Sequence, residues 1–185
     1  MRHRFMDSLA EALAERGIAT FRYNFPYVEA GRRRPDYPKV LVKTVQSAVA
    51  EASRLAPDLP LLAGGKSMGG RMTSTAASRE ALPGVQGLVF FGFPLHSPAK
   101  PGRERGEHLS GVTVPMLFLQ GTRDTFAKRE LLQPVLDGLG ELATLHIVDG
   151  ADHGFHVLKR SGRNDEDVLE ELAQSTLEWT TATLA

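Results

Sequence analysis

Leu59-Pro60-Leu61-Leu62-Ala63-Gly64-Gly65-Lys66-Ser67-Met68-Gly69-Gly70 passes from an apolar run through two glycines to a serine and two more glycines. The apolar part, Leu59 to Ala63, has the length and character of a buried strand, and Met68 to Arg79 reads as a helix. Gly65-x-Ser67-x-Gly69 between them has the spacing of a serine held on a sharp strand-to-helix turn. On such a turn the hydroxyl is lifted above the sheet, the following helix N-terminus faces the reacting carbonyl, and the Met68 N–H becomes an oxyanion donor. The spacing alone also fits a plain glycine-rich turn; its position between an apolar strand and a helix selects the former. A phosphate loop would need glycine five residues before Gly65, and Pro60 stands there.

Working outward, the same alternation recurs. Phe5, Leu9 and Leu13 step by four with Gly17 as a stop, which predicts a helix over 4–16. Ile18 to Tyr23 is a short β-rich run closed by Asn24-Phe25-Pro26. Leu41, Val45, Ala48, Ala52 and Leu55 predict a helix entered through Asp36 and Pro38. Val85 to Phe93 reads as a strand, and Ser97 to Ser110, rich in Pro, Gly and Arg, as a surface excursion. Pro115 to Gln120 is a further strand, followed by a helix from about Ala127 that Pro134 should kink or break. Ala143 to Val148 is the fifth strand. Asn164 caps a last helix whose acidic first turn suits the helix dipole, and which buries Val168, Leu172, Thr176 and Trp179.

Five strands alternating with helices imply a single α/β domain over 1–185: a three-layer αβα sandwich with a mainly parallel sheet of about five strands. Sites on such sheets lie at the C-terminal strand ends, so the loops after Tyr23, Ala63, Phe93, Gln120 and Val148 are the places for chemistry. Composition narrows the field. The 185 residues hold 22 Lys+Arg against 22 Asp+Glu, which leaves no basic footprint for nucleic acid or an anionic membrane. With no cysteine, disulfides, thiolate metal sites and a cysteine nucleophile are all excluded. No apolar run approaches the roughly 18 residues of a membrane span, and residues 1–15 lack the apolar stretch of a signal peptide. The expectation is a cytoplasmic protein.

A serine nucleophile needs a base, and the base needs an orienting acid. Gly121-Thr122-Arg123-Asp124 follows one strand and Asp149-Gly150-Ala151-Asp152-His153-Gly154 the next, so Ser67, Asp124 and His153 fall in order on three strand-end loops. Asp152 competes for the role of acid, but a carboxylate adjacent to the histidine rarely turns onto its Nδ1; Asp124 is preferred. Asn24, Tyr27 and His96, just past strand ends, are candidate substrate contacts. Their competing readings are a turn-forming Asn, a half-buried Tyr and a solvated His. Arg32-Arg33-Arg34 could meet an anion, though a short basic run is ordinarily a solvated loop. His108, His146 and His156 read as structural or surface residues.

On Phe21-Arg22-Tyr23-Asn24-Phe25-Pro26-Tyr27, Gly64 to Gly70, Phe93-Pro94-Leu95-His96, Gln120 to Asp124 and Asp152-His153, the chain resembles an α/β-hydrolase of the dienelactone-hydrolase-like kind. More narrowly it resembles a small family of bacterial hydrolase-like proteins. Its eukaryotic relatives include a testis-expressed protein and a regulatory subunit of a chromatin acetyltransferase complex. The resemblance implies a serine-hydrolase fold with a Ser67, His153, Asp124 triad and no metal or cofactor, its substrates being poorly defined; some relatives act as scaffolds. The triad itself points to a small-molecule acyl substrate, an ester or thioester.

Such proteins usually begin with strands and a His-Gly-type loop that supplies the second oxyanion N–H. This sequence opens at Met1-Arg2-His3, at the mouth of the first helix, lacking those N-terminal strands. Truncation of a longer chain, closure of the flanking strands, or donation by a partner are the three readings, with truncation preferred. One lost oxyanion donor costs about 2.7–4 kcal/mol of transition-state stabilisation. The rival expectation is therefore a catalytically impaired scaffold or interaction protein, with a homodimer as an open possibility.

Overall fold

The computed structural model describes residues 4–184, so the opening Met1-Arg2-His3 lies outside the described residues. In chain order the elements are α1 (Arg4–Ala14), α2 (Pro26–Glu29), α3 (Pro38–Leu55), β1 (Leu61–Lys66), α4 (Met68–Arg79) and β2 (Val85–Phe91). They continue with β3 (Met116–Gly121), α5 (Arg129–Leu139), β4 (Ala143–Val148) and α6 (Asp165–Leu184). The sheet is parallel throughout, in the order β1-β2-β3-β4.

Strand alternation divides the core. Leu88, Phe90, Met116 and Phe118 point to one face, where α3, α4 and α5 cover them with Val45, Met72, Ala76 and Leu132. Val89, Phe91, Leu117 and Leu119 point to the other, under Leu9 and Leu13 of α1 and Val168, Leu172 and Trp179 of α6. A sheet covered on both faces needs near-continuous apolar strands, which is how β2 and β3 read. Gly87 leaves the space that the Trp179 ring fills, since a Cβ there would lie 2.8 Å from the indole. The start of α6 is as the sequence predicts: Asn164 Oδ1 accepts the N–H groups of Glu166 and Asp167.

Three expectations are corrected. The sheet has four strands among the described residues, because Ile18–Tyr23 does not pair. Ile18 N–H bonds the Leu13 carbonyl and closes α1 behind Gly17, which has φ +76°. Beyond it the run lines an apolar cleft of about 600 Å³ whose opposite wall is β1. A strand needs a neighbour at hydrogen-bonding distance, and here it faces β1 across open space.

Pro134 neither ends nor breaks α5, which continues to Leu139. The proline is exposed, so the Glu130 carbonyl it leaves without an N–H is open to water, while buried Leu132 and Leu136 hold the helix to the core. The excursion after Ser97 is only half a surface loop. Its end, Glu104–Gly111, winds as a 3₁₀ helix against α4 and buries Leu109 completely. Among the described residues, no helix is long and apolar enough to cross a membrane.

Candidate active site

Ser67 stands between β1 and α4 with φ 52° and ψ −119°, a conformation that costs a non-glycine residue about 1–3 kcal/mol. Its N–H is held by the Phe91 carbonyl at 3.2 Å, which fixes the turn to the sheet. Two glycines make the turn fit. Gly65 has φ +149°, and a Cβ on Gly70 would lie 2.6 Å from the Gly65 carbonyl oxygen. Gly69, the glycine of the spacing pattern, has open space around it, so the close approach falls one residue later. Met68 is the first residue of α4, where helix geometry leaves its N–H without an intrahelical acceptor.

Three strand-end loops converge here. His153 Nε2 lies 2.8 Å from Ser67 Oγ, and His153 Nδ1 lies 2.7 Å from Asp124 Oδ2. The Asp124 carboxylate is fully buried and is held by two further donors, Phe126 N–H on Oδ1 at 2.7 Å and Gln120 Nε2 on Oδ2. Gln120 in turn accepts the Phe93 N–H at 2.9 Å, which ties the acid to the end of β2. These donors fix the position of the buried carboxylate, and through it the orientation of the His153 ring. Asp152 makes a different contact: its Oδ1 accepts the N–H groups of Gly154 and His156 at 2.7 and 3.0 Å, shaping the loop that carries His153.

Lys66, which the sequence shows only as part of the glycine motif, completes the arrangement. Its Nζ donates to the His153 main-chain oxygen and sits over the rings of Phe155 and Phe5, at 4.8 and 5.5 Å from their centroids. Burial pushes the Lys66 ammonium down to about 8, against the pull of Asp124 and Asp152. The Phe126 ring packs against the His153 imidazole, with centroids 4.4 Å apart.

The softer candidates are distributed differently. His96 is buried, not solvated; its Nε2 accepts the Lys128 N–H at 3.1 Å and its Nδ1–H meets the Ser97 carbonyl at 3.0 Å. Nε2, together with the His96 N–H that bonds the Phe126 carbonyl at 2.9 Å, therefore braces the loop that follows Asp124, while Nδ1 stays within its own segment. Asn24 is half-buried and donates to Glu29 Oε1 at 2.6 Å, while half-buried Tyr27 stacks on Phe25 and donates its N–H to Asp36. Arg32, Arg33 and Arg34 are all exposed, and Arg32 pairs with Asp36. His146 and His156 pair with Glu171 and Asp165.

A serine on a strained turn, a histidine bridging it to a buried carboxylate, and a parallel sheet with helices on both faces define the architecture of a serine-hydrolase fold. The match to the family model described as alpha/beta hydrolase domain runs over residues 1–181, and the chain belongs to that family. Solved structures agree on the fold. An alpha-beta serine hydrolase homologue from Coxiella burnetii matches at TM-score 0.72 and 21% identity, over 95% of this chain and 77% of that one. An a/b serine hydrolase without lid from Xanthomonas campestris matches at TM-score 0.72 and 22% identity, over 97% and 75%. Est1E from Butyrivibrio proteoclasticus, solved with ferulic acid bound, matches at TM-score 0.72 and 17% identity, over 96% and 83%.

Proposed function

We propose that this protein is a serine hydrolase acting on a carboxylic ester, thioester or related small acyl compound. The observation that carries the reading is the hydrogen-bonded path from Ser67 Oγ through His153 to buried Asp124. In the reaction, Ser67 Oγ attacks the acyl carbon while its proton passes to His153 Nε2. The carbonyl oxygen becomes an oxyanion facing the Met68 N–H. As the tetrahedral species collapses, the bond to the alcohol or thiol breaks and His153 returns the proton to that leaving group. Water then attacks the acyl-serine by the same steps, releasing the acid and restoring Ser67. Asp124 holds the Nδ1–H tautomer and stabilises the imidazolium throughout.

The test is labelling of the folded protein with a fluorophosphonate, with the modified residue located by mass spectrometry. Modification of Ser67 that is lost in His153→Ala supports an activated nucleophile. A folded sample that stays unmodified would leave the chain as a hydrolase-fold scaffold.

A further inference from the structure

Residues 152–156, which carry the histidine, form a turn closed on itself. Asp152 N–H bonds the His156 carbonyl and Phe155 N–H bonds the Asp152 carbonyl, both at 3.0 Å, while Asp152 Oδ1 takes the Gly154 and His156 N–H groups. Phe155 sits at φ 67°, a conformation that a non-glycine residue keeps only where its surroundings impose it. Bonds within the turn give it shape. They do not fix where it stands relative to Ser67.

Lys66 supplies a constraint of that second kind. It ends β1, immediately before Ser67, and its Nζ donates to the His153 main-chain oxygen. Among the described residues, this is the one hydrogen bond that reaches the main chain of 152–156 from outside the turn. The amine and the ring share the space beside Gly92, where a Cβ would lie 3.2 Å from Lys66 Nζ and 3.4 Å from His153 Nδ1. Phe155 of the turn and Phe5 of α1 stack with centroids 5.5 Å apart, and the ammonium lies over both rings. For the fold alone, this is a poor place for a lysine. No carboxylate pairs with its Nζ among the described residues, and burial outweighs the pull of Asp124 and Asp152 across space. A methionine would fill a similar volume among the same rings without desolvating a charge.

We propose that Lys66 is a positioning residue: from the place next to the nucleophile it clasps the main chain of His153 and so sets Nε2 against Ser67 Oγ. This role rests on the serine-hydrolase reading and adds a residue to its machinery. Because Lys66 and Ser67 are adjacent, a shift at the end of β1 carries the serine and the histidine together. The 2.8 Å approach of Nε2 to Oγ is thereby kept when the strand end moves. Registration at that level matters, since a misplacement of about 1 Å between reacting groups can lower a rate by about 10²-fold.

The experiment compares the wild type with Lys66→Met, which keeps a long side chain and removes the donor. Stability is read in urea, kcat and KM on 4-nitrophenyl acetate, and the His153–Asp124 contact from the low-field proton resonance of His153 Nδ1–H. Lys66→Met is expected to be at least as stable as the wild type at pH 7.5. Its kcat should be about 10- to 100-fold lower with KM little changed, because both acyl transfers use His153 and no substrate contact is lost. The Nδ1 proton should broaden or disappear. A lysine that merely supports the fold gives the opposite pattern, with stability lost and kcat per folded molecule kept. A loss of stability, a variant that does not fold, an unchanged kcat per folded molecule, or an Nδ1 proton that is the same in both proteins overturns the proposal. Fluorophosphonate labelling of the same samples separates the two readings. If wild-type Ser67 does not label and the ester is not turned over, the hydrolase reading fails, and the Nδ1 proton decides the clasp. A resonance present in the wild type and lost in Lys66→Met supports it, and one that is the same in both overturns it.

Discussion

Gly121, the last residue of β3, lies so close to Ala151 that a Cβ on it would stand 2.2 Å from the Ala151 carbonyl oxygen. This contact fastens the loop of Asp124 to the loop of His153. Arg123 N–H bonds the same carbonyl at 2.9 Å, and Thr122 N–H bonds Val148. The 2.7 Å approach of His153 Nδ1 to Asp124 is thus set by backbone packing as much as by charge. In Gly121→Ala the two loops must part, since the obstacle is backbone and cannot rotate away. The expected result is a stability loss of about 1–3 kcal/mol in urea titrations, with a fall in Ser67 labelling rate beyond what unfolding accounts for.

The two carboxylates near His153 do different work, and substitution separates them. Asp124→Asn keeps the volume but stabilises the wrong imidazole tautomer; kcat on an activated ester should fall by about 10⁴. Asp152→Asn leaves an amide oxygen able to accept the Gly154 and His156 N–H groups, so kcat should change by less than about tenfold. Steady-state kinetics of the two variants on one ester checks the assignment, and the reverse order of severity would make Asp152 the acid.

The meeting of Ser67, His153 and Asp124 was more legible in the sequence than the edge of the fold. Ser67, Asp124 and His153 could be placed because each follows a clearly apolar run, and a parallel sheet brings successive strand ends to one side. Ile18–Tyr23 misleads because its residues favour a strand, while pairing depends on a neighbour that no local pattern reports. His96 misleads for a related reason: its burial follows from the Asp124 loop folding back over it, a tertiary event. Lys66 and Arg71 both stand beside the glycine motif, yet their type and position cannot say that one meets the His153 carbonyl and the other leaves Nε without an acceptor among the described residues. A basic residue within a turn of the nucleophile was the available signal.

Lys66 makes stability depend on alkaline pH. Its ordinary value of 10.5 is lowered to about 8 in the folded chain, mainly by burial. Between those two values the unfolded chain binds the proton and the folded chain has shed it, so this group's contribution to unfolding free energy rises with pH across that window. Lys66→Met has no such group. Urea titrations at pH 7.5 and pH 10 should therefore show the wild type gaining stability relative to Lys66→Met at the higher pH. An unchanged difference would mean that the ammonium is not held in a desolvated setting.

His108 does the same in acid. Its ordinary value of 6.5 is lowered to about 4 by burial and then by Arg71, with Arg79 also adding and a backbone hydrogen bond at Arg105 opposing. Between pH 6.5 and 4 the unfolded chain takes up a proton that the folded chain refuses, so stability is full above that window and is lost as pH falls through it. Protonation would also put a third positive charge beside Arg71 and Arg105 and break the Ser74 contact wherever Nε2 is the acceptor. His108→Gln keeps a polar group of similar reach that does not titrate. Thermal unfolding at pH 7 and pH 4.5 should show a larger acid-induced drop in Tm for the wild type than for His108→Gln.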